Sequence, residues 1–423
     1  MSSYTSRQRV AAALDHTEPD RVPIDVGGSR VSGISAIAYK NLLKLLGRRE
    51  DIKLYDIKQQ LAMVSLDIAE TLGSDVVQLT RLCPTTGMPF FKIDRWKEGR
   101  LTDGSPCLVP EGYEPFLKED GSVELVREGK LFARRPSGSL YFDVVGAPLE
   151  KAETPADIDA YLWPDPWSER ETEFIKAEIE RLYHGTDKAL FAALPLYDCS
   201  FLELGQTMFG FETLLMNFIL KPDLMHHWLG KVLEHHLATL ERFLPLAGPY
   251  ISAIQMNDDL GAQDSLLISP EVFRTFLKPR MAAWISYVRQ RCDAKIFLHC
   301  DGAISEIMDD LIEIGVEILN PVQTGARGME PETLKKRYGN RLSFWGGGSE
   351  TQSTLPFGSV AEVIKEVEER VHLFGPGGGY VFATIHNIQS DVSPEKIRAV
   401  FDTARRTGVY PLESKSRHQA GAQ

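Results

Sequence analysis

The stretch Lys295-Ile296-Phe297-Leu298-His299-Cys300-Asp301-Gly302 sets three reactive side chains directly after a run that suits a buried strand. His and Asp both ligate divalent metals, and Cys can ligate or attack. Gly302 then lets the backbone turn, and a helix-like run follows from Ile304 to Ile314. Strand, polar cluster, turn and helix is how an α/β barrel presents chemistry, with the polar residues at the carboxyl end of the strand. A plainer reading makes the same residues caps of the next helix.

Other strand-like runs end in the same manner. Asp258 and Asp259 follow one, Asn320 and Gln323 another, Ser349 and Glu350 a third, and His386, Asn387 and Gln389 the last. In a barrel these ends face one mouth. His299, Asp301 and His386 would then form a two-His, one-carboxylate set, suited to Zn(II) or to Fe(II) with open positions. Residues two apart on a strand share a side, so His299 and Asp301 point together and Cys300 points away. If a turn begins at His299, that parity fails and Cys300 becomes a substitute ligand. Without a metal, the two histidines would hydrogen-bond substrate instead. Asp258 and Asp259 read either as a capping or ion-pair couple or as functional carboxylates. The Gly-rich runs 346–348 and 375–379 lack phosphate-loop spacing and read as turns.

The elements that would position these residues can be taken in order. Residues 21–26 alternate as a first strand, and 75–79 form a second. Helices are expected at 6–14, 35–46 and 56–72. Residues 83–146 carry Gly, Pro and short alternating runs, which predicts a small antiparallel β insertion, either a rim over the mouth or a surface decoration. Further strands are expected at 189–194, 250–256, 295–298, 316–319, 342–345 and 380–383, with helices between them and a last helix at 393–406. Eight strands alternating with helices predict a (β/α)8 barrel in one domain, residues 1–412, with a frayed tail at 413–423. His226, His227, His235 and His236 lie on a long helix at 224–244. Adjacent residues do not share a helix face, so the four read as surface or packing residues.

The chain has 423 residues, 43% hydrophobic and 25% charged, which is globular composition. A net charge of −12 argues against broad binding to nucleic acid or an anionic membrane. Five scattered cysteines without a CxxC pair point to a reducing compartment, the cytoplasm, rather than a disulfide framework. The polar first nine residues lack the apolar core of a signal peptide, and no run is long enough to span a membrane. The oligomeric state is not encoded in any of this.

Several of these stretches together resemble the superfamily of uroporphyrinogen decarboxylases and their relatives, the cobamide-dependent methyltransferases. They are 19–23, 258–261 with 267–270, 297–302, 319–323, 355–358, and 378–382 with 386–389. The resemblance implies a (β/α)8 barrel with its site at the carboxyl mouth. True uroporphyrinogen decarboxylases carry an RQAGR-type segment whose arginines hold substrate carboxylates. The corresponding stretch here, residues 25–30, retains Arg30 alone, which argues against haem biosynthesis. The methyltransferase branch binds zinc through His-x-Cys and a late Cys. The corresponding positions here are His299, Asp301 and His386. Such a set is harder than a thiolate set and better suited to an oxygen-bearing substrate.

The resemblance therefore implies a methyltransferase that takes a methyl group from a small methoxy or methylamine donor. The acceptor would be a cobalamin carried by a separate corrinoid protein, since the chain has no Asp-x-His-x-x-Gly signature. Asp258 and Asp301 are the catalytic candidates, and Asp259, Asn320, Gln323, Asn387 and Gln389 the substrate-binding ones. The alternatives are a metal-free decarboxylase or other lyase on a carboxylated small molecule, and a ligand-binding barrel without turnover.

Overall fold

The computed structural model describes residues 4–85, 88, 90–193 and 200–412. Seven strands make one parallel sheet in chain order: β1 (Val76–Leu79), β2 (Ala189–Ala192), β3 (Ile251–Asn257), β4 (Lys295–His299), β5 (Ile318–Asn320), β6 (Ser343–Trp345) and β7 (Tyr380–Val381). The extended segment 22–26 takes the eighth place. Ile24 bridges Phe382 in parallel. Phe382 N donates to Pro23 O at 2.8 Å, and Asp75 N donates to Ile24 O at 2.7 Å. The sheet thereby closes on itself, as the strand pattern predicts.

Alternation along the strands divides two cores. Val76, Phe191, Ala253, Phe297, Ile318 and Trp345 point inward and fill the barrel. The rings of Phe191, Phe297 and Trp345 lie 4.7–5.6 Å apart, centre to centre, as an aromatic layer. Their strand neighbours Leu190, Ile254, Leu298, Leu319 and Phe344 point outward into the larger core beneath the helices. The helix Ser6–Leu14, started by a capping box between Thr5 and Gln8, closes the barrel floor with Val10 and Leu14.

One carboxylate fastens that floor. Asp75 is fully buried. It accepts from Arg9 Nη1 at 2.6 Å, from Arg21 Nη1 at 2.7 Å and from Ile24 N at 2.9 Å. A helix, the closing segment and β1 are thus tied at a single point.

The insertion is antiparallel, as expected. A hairpin, Trp96–Arg100 with Pro106–Pro110, precedes four strands, Pro115–Leu117, Val123–Arg127, Lys130–Arg135 and Asp143–Val144. The expected helix at 56–72 is wrong over its first half. Leu54–Asp56 and Leu61–Ala62 are strands that pair antiparallel, and only Leu66–Leu72 is helical. Asp56 turns the chain by accepting from Gln59 N, and Gln60 takes the left-handed region at φ 58°. Ser65 then caps the shortened helix by accepting from Ile68 N. The run after Gly302 becomes α-helical only at Met308.

The four histidines sit on the helix Pro222–Ala247 and are not neighbours of one metal. His226 stacks on Phe276, and His227 meets Asp159. His236 is buried edge-on to Phe201, and neither ring nitrogen has a hydrogen-bond partner among the described residues. Among the described residues, no helix is long and apolar enough to cross a membrane.

Two outcomes follow for stability. Asp75→Ala would remove the carboxylate shared by two guanidinium groups at the floor and leave Arg9 only its pair with Asp20. It should destabilise the fold by about 3–5 kcal/mol in urea melts. His236 is pulled by burial from 6.5 down to about 3. The folded protein keeps it neutral while the unfolded chain protonates it. Its contribution is therefore complete above pH 6.5 and is lost as the pH falls from there towards 3. Buried His235 shifts the same way, to about 4, so one replacement removes only part of the effect. His236→Leu should make the fall in melting temperature between about pH 6.5 and 5 visibly shallower.

Candidate functional site

Strand register brings the polar residues to one level. Asn257 pairs with His299, and His299 with Asn320. Pairing continues one step beyond the strand ends: Asp258 N donates to His299 O at 3.1 Å, and Cys300 N to Asn320 O at 2.8 Å. Alternation therefore still holds at residue 300. Cys300 is buried in the outer core, where its Sγ accepts from Leu260 N at 3.3 Å. The turn comes at Gly302, with φ 87°. A Cβ there would lie 2.4 Å from the backbone of Gly261, so the two loops can close over the strand ends only with glycine at this position.

His299, Asp301 and His386 gather, and their ligand atoms lie within 4.8 Å of one another. Cys300 is not part of the group. The imidazole of His299 is oriented from behind. Asn320 Nδ2 donates to Trp345 O at 2.7 Å, which turns Oδ1 toward His299 Nδ1 at 2.6 Å. Nδ1 therefore carries the proton, and Nε2 presents its lone pair 3.9 Å from Asp301 Oδ2. Burial pulls His386 down to about 4, so its ring is neutral near pH 7. The backbone N–H of Asp301 is held by Asp259 Oδ1 at 2.8 Å. Burial, then the charge of Asp301, pushes Asp259 up to about 7.

This donor set fits a divalent cation. Ligand bonds near 2.0–2.1 Å place tetrahedral ligands about 3.3 Å apart, a small contraction for side chains at the edge of a cavity. Two imidazoles and one carboxyl group leave further positions open toward that cavity.

Asp258 is placed differently from its neighbours. It is fully buried and accepts from the backbone N–H groups of Phe201, Leu202 and Glu203 at 2.8–2.9 Å. It caps the helix Leu202–Phe209 from a neighbouring strand end. Burial and the charge of Glu203 push it up to about 7, against the pull of the three amides. It does not line the cavity on which Asp301 and His386 open, and neither do His299, Asp259 or Asn320, so Asp259 and Asn320 support the site from behind rather than forming the wall expected of them.

That cavity is about 390 Å³, and Asp301, Gln323, His386, Asn387 and Gln389 all line it. Gln323 also supports the Gly302 turn, accepting from Gly302 N at 2.8 Å and donating to Gln263. Asn387 accepts from Gly33 N and donates to Gln59, both at 2.8 Å. Ser349 and Glu350 do not reach the trio. Their loop is anchored on Glu366, which accepts from Ser349 Oγ and Glu350 N at 3.0 Å. A larger cavity, about 580 Å³, opens beside β1, but neither His299 nor His386 lines it. Size alone would misplace the site.

Two residues outside the expected set belong here. Tyr141 comes from the insertion, lines the cavity and accepts from Gln389 Nε2 at 2.8 Å. Arg30 is buried, 3.6 Å from Asp56, and its charge bears on both His386 and Asp259. Nothing in the spacing of the insertion marks Tyr141. Arg30 is marked only by its place in the stretch that corresponds to the arginine-rich segment of the decarboxylases.

Fold and site together define a (β/α)8 barrel with an imidazole–carboxylate cluster at the carboxyl mouth. Residues 145–407 match the family model described as Uroporphyrinogen decarboxylase (URO-D), and the chain belongs to that family. A uroporphyrinogen decarboxylase from Thioalkalivibrio sulfidiphilus (strain HL-EbGR7) is 25% identical over 193 residues, 44% of this chain. The match spans half, 50%, of that relative's length. A methyltransferase from Methanosarcina mazei has the same fold, with a TM-score of 0.57 and 18% identity over 96% of this chain and 99% of that one.

Proposed function

We propose that the protein is a metal-dependent methyltransferase that moves a methyl group from a small methylated donor to the cobalamin of a separate corrinoid protein. The observation that carries this reading is the grouping of His299, Asp301 and His386, two of which, Asp301 and His386, line the mouth cavity. These three would hold Zn(II), or Fe(II) as the alternative. When bound, the ion supplies Lewis acidity toward the donor heteroatom as the methyl group leaves. The chain's own residues do the remainder. Asn320 presents His299 in one tautomer, Asp259 fixes the backbone of Asp301, and Gln323 and Asn387 hold the loops around the donor.

The walls of the cavity favour this reading over a decarboxylase for polycarboxylates. Among the described residues, no Lys or Arg lines it. Arg30, whose charge bears on His386 and Asp259, is buried against Asp56. A substrate with several carboxylates would enter an uncharged, amide-rich space beside Asp301, without cations to offset its desolvation. The capping role of Asp258 also leaves it poorly placed for proton transfer to such a substrate.

Two measurements check the reading. In the first, His386→Ala should strip the metal from protein purified without chelators. Asn320→Ala should weaken Zn(II) binding by about 10–100-fold, and Cys300→Ser should keep it within about tenfold. A native protein without metal, or loss of metal in Cys300→Ser alone, would contradict the assignment. In the second, the protein is mixed with free cob(I)alamin and a panel of methoxy and methylamine compounds, and methylcobalamin is followed by absorbance. Failure of every donor, with carbon dioxide released from a carboxylated compound by the native protein, would establish the decarboxylase instead.

A further inference from the structure

We propose that the mouth cavity takes a neutral methyl ether, and that the phenol of Tyr141 gives its proton to the ether oxygen as the methyl group leaves. This rests on the methyltransferase reading above and narrows it to one donor class and one further catalytic residue.

The hydrogen bonds around Tyr141 set the direction of its proton. Gln389 Nε2 donates to the phenol oxygen at 2.8 Å, and also reaches Asn387 O at 3.4 Å, which identifies that end of Gln389 as the NH2 group. The NH2 group of Asn387 is engaged elsewhere, donating to Gln59 at 2.8 Å. One amide donor thus occupies a lone pair of the phenol oxygen. The phenol hydrogen is left over, and among the described residues no acceptor takes it. The ring lines the same cavity as Asp301 and His386, so a donor bound there would receive that hydrogen. Burial raises the phenol above its ordinary value, which keeps it protonated at neutral pH.

The walls select the donor class. A quaternary ammonium donor is recognised by a cage of aromatic faces, and Tyr141 is the one phenyl or indole ring among the described lining residues. A carboxylated donor would need Lys or Arg, and among the described residues none lines the cavity. A neutral ether matches the amide and hydroxyl walls. An ether also needs what Tyr141 offers, because an alkoxide is a poor leaving group without a proton. In the step, the C–O bond breaks with its electron pair going to oxygen. The methyl carbon bonds to cobalt with the electron pair of cob(I)alamin. The proton of Tyr141 goes to the oxygen to give the alcohol, and solvent reprotonates the phenolate.

The test compares Tyr141→Phe with the native, metal-loaded protein, using free cob(I)alamin and two ethers. 2-Methoxyethanol has an alkoxide leaving group, whereas 4-nitroanisole releases a nitrophenoxide that needs no proton. Tyr141→Phe should slow transfer from 2-methoxyethanol by about 10²–10⁴-fold and from 4-nitroanisole by less than about tenfold. Its metal content should be unchanged, and calorimetric affinity for 2-methoxyethanol should fall by no more than about tenfold. Gln389→Leu, which keeps the phenol but removes a donor to it, should show a smaller loss with the same ranking of ethers. Equal losses for both ethers, or none, would overturn the proton-donor role. Transfer from tetramethylammonium but from neither ether would overturn the donor class and leave the methyltransferase standing. No transfer from any donor by the native protein would overturn both.

Discussion

Closure of the barrel hangs on a buried carboxylate between two arginines. Asp75 stands at the foot of β1, where the sheet must meet a segment more than fifty residues earlier in the chain. Backbone pairing there is sparse, because 22–26 contacts its neighbours through a few bonds rather than a long ladder. Arg9 and Arg21 supply the remainder by gripping one carboxylate from the floor helix and from the closing segment. A buried ion pair is weak evidence for stability in itself, since its desolvation offsets much of its attraction. Its value here is specificity: Arg9 is also held by Asp20 at 2.6 Å, but the contact of both arginines with Asp75 is made only when floor helix, closing segment and β1 come together. Closure fixes the radius of the barrel, and so the distance across its mouth from His299 on β4 to His386 beyond β7.

From that frame, strand parity decides which side chains meet. The outward turn of Cys300 and the inward turn of His299 follow from one alternation that runs through the strand end. The same alternation places Asn320 beside His299 and Trp345 behind Asn320. The indole of Trp345 donates in turn to the buried Asp25 at 2.8 Å. The orientation of one imidazole is therefore continuous with the aromatic layer of the core. A loosened core would reach the site first as a misoriented His299.

Much of this was legible in the sequence, and the failures have physical causes. The eight strands were readable because buried parallel strands are short apolar runs ended by turn residues. The trio was readable because barrel strand ends share a mouth, so each polar residue at an end is a candidate without any knowledge of contacts. Residues 56–65 misled because Ile57, Leu61 and Val64 mimic helical spacing, while Asp56 and Gln60 impose a turn that periodicity does not register. The role of Asp258 was ambiguous because its capped helix lies over fifty residues away, and caps are recognisable in sequence only when local. Tyr141 was invisible for a similar reason: Gln389, which orients it, is 248 residues distant.

The boundary of the family match divides the site in an informative way. The matched segment, 145–407, contains His299, Asp301 and His386 together with Asn320, which orients the first of them. Tyr141 and Arg30 lie before it. The candidate metal ligands thus stand on barrel strand ends, where register fixes them, and Tyr141 stands on an insertion whose sheet pairs with no barrel strand. Changing that insertion need not disturb β4, β5 or β7. A barrel built in this way can exchange Tyr141 while retaining the trio. The cavity wall is shared between the two parts: Asp301, Gln323, His386, Asn387 and Gln389 come from the matched segment, and Ser139, Leu140 and Tyr141 from before it. The match to the family is consequently informative about the frame, the trio and most of the described wall, and the insertion adds the remainder.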